Sequence, residues 1–199
     1  MPYDADFPVI CMDEKPYQLL DESRTPIPMK TGKPDRRDGE YIRNGTCSIF
    51  IFNEPLAGWR HACVCERRTK VDWANQIRIL LERYYPSVPK IRLVMDNLNT
   101  HTVSSLYEAF LPELARSLAK RLEIHYTPKH GSWLNMAEIE LSVMSKQCLD
   151  RRISDIALLR RELSAWETDR NSIQKGVDWQ FTTTDARVKL KRLYPQFKS

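Results

Sequence analysis

Two short apolar runs that each end in an aspartate constrain this chain more than any other feature. Pro8 to Asp13 (Pro-Val-Ile-Cys-Met-Asp) and Ile91 to Asp96 (Ile-Arg-Leu-Val-Met-Asp) are short enough to read as buried strands. A strand that closes on an acid delivers a carboxylate to its carboxyl end, where sites assemble in open α/β sheets. Acids on adjacent strand ends can hold divalent cations, because oxygen ligands suit Mg2+ and Mn2+. The bland alternative is that each Asp forms a turn or caps a helix. The polar stretch Asn97-Leu98-Asn99-Thr100-His101, directly after the second run, favours a site rim at Asp96.

Further elements follow from periodicity and turn chemistry. Thr46 to Phe52 and Trp59 to Cys65 read as two antiparallel strands, with Asn53 to Gly58 as the turn. Thr69, followed three residues later by Asp72, opens a helix carrying Ala74, Ile77, Leu81 and Tyr84 and closed by Pro86. Val103 to Phe110 is helical, Pro112 starts a second helical piece, and Leu122 to Tyr126 is a further strand. Ser132 is an N-cap candidate for a helix with Trp133, Ala137, Leu141, Met144 and Cys148 on one stripe. Ile156, Leu159, Leu163 and Trp166 mark a last amphipathic helix. Residues 16–44 are poor in apolar side chains and rich in Pro, Gly and cations, so they are expected to form a long excursion outside the core. The expected class is α/β: a mixed five-stranded sheet flanked by helices, with a long insertion after the first strand.

Composition excludes several classes. The 199 residues suffice for one domain with a full core. No apolar run approaches the roughly 18 residues of a membrane span. Met1 to Ile10 has neither the basic flank nor the apolar stretch of a secretory signal. The five cysteines are scattered without a CxxC pair, and the four histidines complete no zinc spacing, so buried free thiols in a cytoplasmic setting are expected. The net charge of +5 equals the surplus of residues 151–199, where eleven Lys and Arg face six acids. Such a surplus suits a polyanion-facing surface and equally a solvated helix face.

A third acid would complete a metal site, and the helix after Ser132 offers Glu138 and Glu140. Both flank its apolar stripe, on opposite sides, and periodicity does not choose between them. Three runs together, however, resemble the motifs of the IS630 branch of the IS630/Tc1/mariner transposases: Met12-Asp13-Glu14, Asp96 to His101, and His130-Gly131-Ser132-Trp133-Leu134-Asn135-Met136-Ala137-Glu138. Their order fits, with 83 positions from Asp13 to Asp96 and 42 more to Glu138. The resemblance implies a ribonuclease H-like fold and an Asp-Asp-Glu site of Asp13, Asp96 and Glu138. It also implies two Mg2+ or Mn2+ ions per site, hydrolysis of DNA at transposon ends and strand transfer into target DNA. No small-molecule substrate or membrane is expected as a partner.

Weaker candidates for DNA contact are His101, His130, Trp133, Arg151, Arg152, Lys189, Lys191 and Arg192. The resemblance further implies a homodimer on DNA, with residues 16–44 as a projecting arm that meets the second subunit. Members of that family carry a helix-turn-helix region before the catalytic domain. With the first acid already at position 13, residues 1–199 are expected to be a single catalytic domain without that region, ending in a basic segment at 175–199. The competing expectations are an inactive DNA-binding remnant or regulator of a full-length transposase, and a different ribonuclease H-like nuclease.

Overall fold

Alternation along the first strand divides the core into two layers. Ile10 and Met12 point to one face of the sheet and Cys11 to the other, as the period of two requires. The computed structural model describes residues 4–129, 131–174, 176–178, 182–189 and 191. Its strands are β1 (Val9–Glu22), β2 (Tyr41–Glu54), β3 (Trp59–Cys65), β4 (Ile91–Met95) and β5 (Leu122–Tyr126), in the order β3-β2-β1-β4-β5. β1 pairs antiparallel with β2 and parallel with β4, and β4 pairs parallel with β5. The sheet is therefore mixed, with β1 at its centre.

The helices are α1 (Lys70–Ile79), α2 (Val103–Ala109), α3 (Pro112–Lys120), α4 (Ala137–Gln147), α5 (Ile156–Ile173) and α6 (Thr183–Lys189). On one face Phe50, Phe52, Leu93 and Met95 pack with Trp73 and Ile77 of α1, Leu106 of α2 and Leu118 of α3. On the other, Ile49, Ile51 and Val64 pack with Met144 of α4 and Leu159, Leu163 and Trp166 of α5. Thr69 and Asp72 cap α1 reciprocally, and Pro112 opens α3 at its first turn, both as their residue types dictate. α1 ends in a π-helical turn, Leu80–Tyr84, ahead of Pro86.

Two expectations are corrected. The first strand does not end at Asp13: β1 runs on to Glu22 and pairs with a β2 that begins at Tyr41, so the excursion is a paired ribbon. The ribbon continues through bridges Ile27–Arg36 and Lys30–Lys33 around Gly32, whose φ of +76° suits the tip turn. A register shift between Gln18 and Leu20 faces Gly45, which takes φ +104°. Pro16 lies beyond the β4 pairing, where β1 has a single neighbour and a missing N–H is tolerated. Second, Ser132 caps no α-helix. Ser132–Leu134 is a single 3-10 turn, and α4 starts only at Ala137, because the Asn135 side chain turns to bond the sheet.

Candidate active site

The parallel register of β1 and β4 sets two acids side by side. The last paired residues are Cys11 and Val94, so Asp13 and Asp96 each lie two residues further along neighbouring strand paths. Both share the parity of Cys11 and Val94, whose side chains pack on the α4–α5 face. The separation of 83 positions in the sequence is the register offset of the two strands.

α4 brings the third acid. Asn135, 1% exposed, donates from Nδ2 to the Met12 carbonyl at 2.8 Å, and its Oδ1 accepts from the Ala137 amide at 3.2 Å. One side chain thus clips the entry of α4 to the residue before Asp13 and takes up the amide of the helix's first residue. Glu138, one residue into α4, lines the same cleft as Asp13 and Asp96, a space of about 580 Å³ also walled by Lys15, Ser142, Ser145 and Lys146. Glu140 is excluded from that cleft. It is 2% exposed and turned toward β3 and α5, with Arg60 Nε at 3.1 Å and Arg170 Nη2 at 3.2 Å.

The cleft is an uncomfortable place for bare negative charge. Burial pushes the Asp13 carboxyl up to about 7, against the pull of the Glu14 amide, and the carboxylates of Glu14, Asp96 and Glu138 add to the rise. A donor set made only of carboxylate oxygens fits a hard divalent cation such as Mg2+ or Mn2+.

Behind Asp96 stands His101. Its Nδ1 is 2.7 Å from Asp96 Oδ1, and its Nε2 is 3.2 Å from Glu14 Oε2. Burial opposes a charge on this ring, but the two carboxylates outweigh it and hold the imidazole at about 9, hence protonated at neutral pH. Glu14, Asp96 and His101 also bring one ligand atom each to within 4.8 Å of one another.

The sequence-based DNA contacts fare unevenly. His101 is 1% exposed with both nitrogens on carboxylates, so its assignment to DNA is corrected to an interior role. Arg152 is also withdrawn from the surface: it pairs with Glu22, donates to the carbonyls of Glu40 and Asp38, and lies over the Tyr41 ring, anchoring the ribbon. Arg151 pairs with Glu162 at the surface. Trp133 is half-buried with Lys189 Nζ 4.5 Å from its ring centroid, and Lys191 is exposed. His130 and Arg192 lie outside the described residues, as does much of the expected basic segment at 175–199. Lys15 and Lys146, which flank the cleft, and Asn135 as a clip escaped the sequence reading. Their only signal was proximity in sequence to the two strand and helix acids.

A five-stranded mixed sheet of this order, with helices on both faces, defines a ribonuclease H-like domain. The chain belongs to the DDE superfamily endonuclease family, whose model matches residues 8–160. Among solved structures it is similar to the Mos1 mariner paired end complex with Mn (TM-score 0.54, 14% identity, covering 82% of this chain and 49% of that one). It is also similar to the catalytic core domain of BIV integrase (TM-score 0.46, 15% identity, covering 93% and 96%). At such identities the Mos1 likeness concerns the fold alone, and the chain spans about half the length of that Mos1 chain. No curated protein matches it in sequence. Among the described residues no helix is long and apolar enough to cross a membrane.

Proposed function

We propose that this chain is the catalytic domain of an IS630-type transposase, which hydrolyses DNA phosphodiester bonds at transposon ends and joins the freed ends to target DNA. The observation that carries this reading is the gathering of Asp13, Asp96 and Glu138 in one open cleft of a DDE-family fold. Asp13, Asp96 and Glu138 would hold two Mg2+ or Mn2+ ions, which when bound supply Lewis-acid activation of the attacking oxygen and stabilisation of the leaving one. The residues themselves do the remaining work. Asp13 and Asp96 present oxygens from a rigid sheet, so their spacing is set by strand register. Glu138 enters from a helix that Asn135 fastens to that sheet. Lys15 and Lys146 stand at the wall of the cleft, where each can meet a phosphate of the DNA backbone.

DNA is the proposed substrate, and a second copy of the chain the proposed partner. The ribbon of residues 16–44 supports the latter, because Ile27 (59% exposed) and Met29 (75% exposed) stand on an arm with little core of its own. Such a segment gains by ordering against another surface. The competing reading, an inactive remnant that only binds DNA, finds no support in an acid set that is complete.

The test is Mn2+-dependent nicking of supercoiled DNA, with the Asp96→Asn protein as control. Wild-type nicking that vanishes in EDTA and in the variant is expected. Equal nicking by the variant, or nicking in EDTA, would overturn the reading.

A further inference from the structure

We infer that His101 is a positioning residue, which fixes one oxygen of Asp96 from behind so that the carboxylate meets a metal ion in a single orientation. The inference rests on the proposed role of Asp96 as a metal ligand.

The ring is held on every side. Nδ1 takes Asp96 Oδ1 at 2.7 Å and Nε2 faces Glu14 Oε2 at 3.2 Å, with the His101 and Glu14 side chains each 1% exposed. Trp73 stacks alongside, ring centroids 6.2 Å apart and planes 29° from parallel. The backbone is pinned as well: Tyr126 Oη donates to the His101 carbonyl at 2.8 Å, and the His101 amide donates to the Leu98 carbonyl at 2.9 Å.

Asp96, by contrast, keeps 31% of its side chain exposed and lines the cleft. One strand supplies both ends of this arrangement. Asp13 and Glu14 are consecutive in β1 and so point to opposite faces; both border the cleft, but the Glu14 side chain, 1% exposed, is turned inward to His101.

The same three groups could instead chelate an ion directly. Their geometry argues for a chain. Each ring nitrogen already faces a different carboxylate, so an ion at either nitrogen would displace a contact. Within the trio only the Asp96 side chain is substantially open to the cleft, at 31% exposed against 1% for His101 and for Glu14. A carboxylate tied at one oxygen has lost its rotation before the metal arrives, and partners of this kind change metal affinity about 10–100-fold when removed.

Two substitutions separate positioning from mere space-filling. The Asn amide nitrogen falls near the place of Nδ1, facing Asp96, whereas that of Gln falls near Nε2, facing Glu14. Both are made in a Glu14→Gln background, which avoids leaving the buried Glu14 carboxylate with only the exposed Arg68, 3.8 Å away, as counter-charge, and are compared with Glu14→Gln alone. Mn2+ binding to the metal-free proteins is measured by titration. His101→Gln is expected to weaken binding about 10–100-fold, and His101→Asn by clearly less.

Wild-type affinity in both, or better retention by Gln than by Asn, would overturn the inference. Asp96→Asn separates the two levels: if it binds Mn2+ like the wild type, the metal-ligand reading itself has failed. Electron spin echo spectra of Mn2+ bound to the wild type give a readout independent of any variant's folding. No nitrogen coupling is expected, and strong coupling would make His101 a direct ligand and end the positioning role.

Discussion

Asn135 illustrates how much one buried side chain decides. Its amide joins the start of α4 to the Met12 carbonyl, 123 positions away, and thereby sets Glu138 beside Asp13. Replacing Asn135 by Ala takes the side-chain donor from that carbonyl and the acceptor from the Ala137 amide. A loss of about 1–3 kcal/mol is expected, measured by urea denaturation. Nicking activity should fall further than the stability loss explains, since Glu138 is no longer held against the sheet. The presence of Asn three residues before Glu138 is plain in the sequence, but its partner is not, because a hydrogen bond to a distant backbone leaves no periodic trace. The same holds for His101. As a polar residue in a polar loop it resembled a surface group, and only the Trp73 ring and the carboxylates of Glu14 and Asp96 gathered around it made it interior.

At the level of elements, α4 carries two acids with opposite fates. Glu138 faces the cleft exposed, whereas Glu140 sits between the guanidinium groups of Arg60 and Arg170. Glu140→Gln should destabilise the fold by about 3–5 kcal/mol, since it leaves the buried Arg60 and the part-buried Arg170 uncompensated. Glu138→Gln should stay within about 0.5 kcal/mol of wild type while nicking is lost. Denaturant midpoints of the two proteins check both outcomes. α5 offers a test with pH. Its N-cap Asp155 accepts from the Leu158 amide at 2.8 Å, and that bond holds the carboxyl below its usual range. A carboxyl lowered in the folded state stabilises above the unfolded value of about 3.9 and loses that contribution as pH falls through the folded value. The melting-temperature gap between wild type and Asp155→Ala should thus be full at neutral pH and shrink below about pH 4. Helix caps and apolar stripes of this kind were legible locally, as Thr69 and Pro112 also show. The ribbon was not: beyond Leu19, which is still held in the core, most of it is exposed on both faces, so no sustained alternation of polar and apolar residues announces it, and pairing makes it a strand.

For the whole molecule, the outer part of the ribbon, residues 23–40, stands outside the two core layers and is fastened at its base by Arg152. Deleting Thr25 to Asp38 should change monomer stability by no more than about 1 kcal/mol, since nearly all of that stretch is exposed. The DNA-bound assembly, sized by light scattering, should fall from two copies to one if the arm joins subunits. A large loss of stability with unchanged assembly would count against the arm. Alone, the amino-acid sequence determined the two strands that lead to Asp13 and Asp96, the helices with capped starts and apolar stripes, and the mixed character of the sheet. These are local properties, written in spacing and residue type. Tertiary structure decided which of them meet. The register of β1 on β4 made two acids 83 positions apart into neighbours. The packing of β3 and α5 on one flank of α4 took Glu140 for the core and left Glu138 to the cleft. Neighbourhood across a sheet depends on strand order and on charges contributed from distant segments, and no short window of sequence contains either.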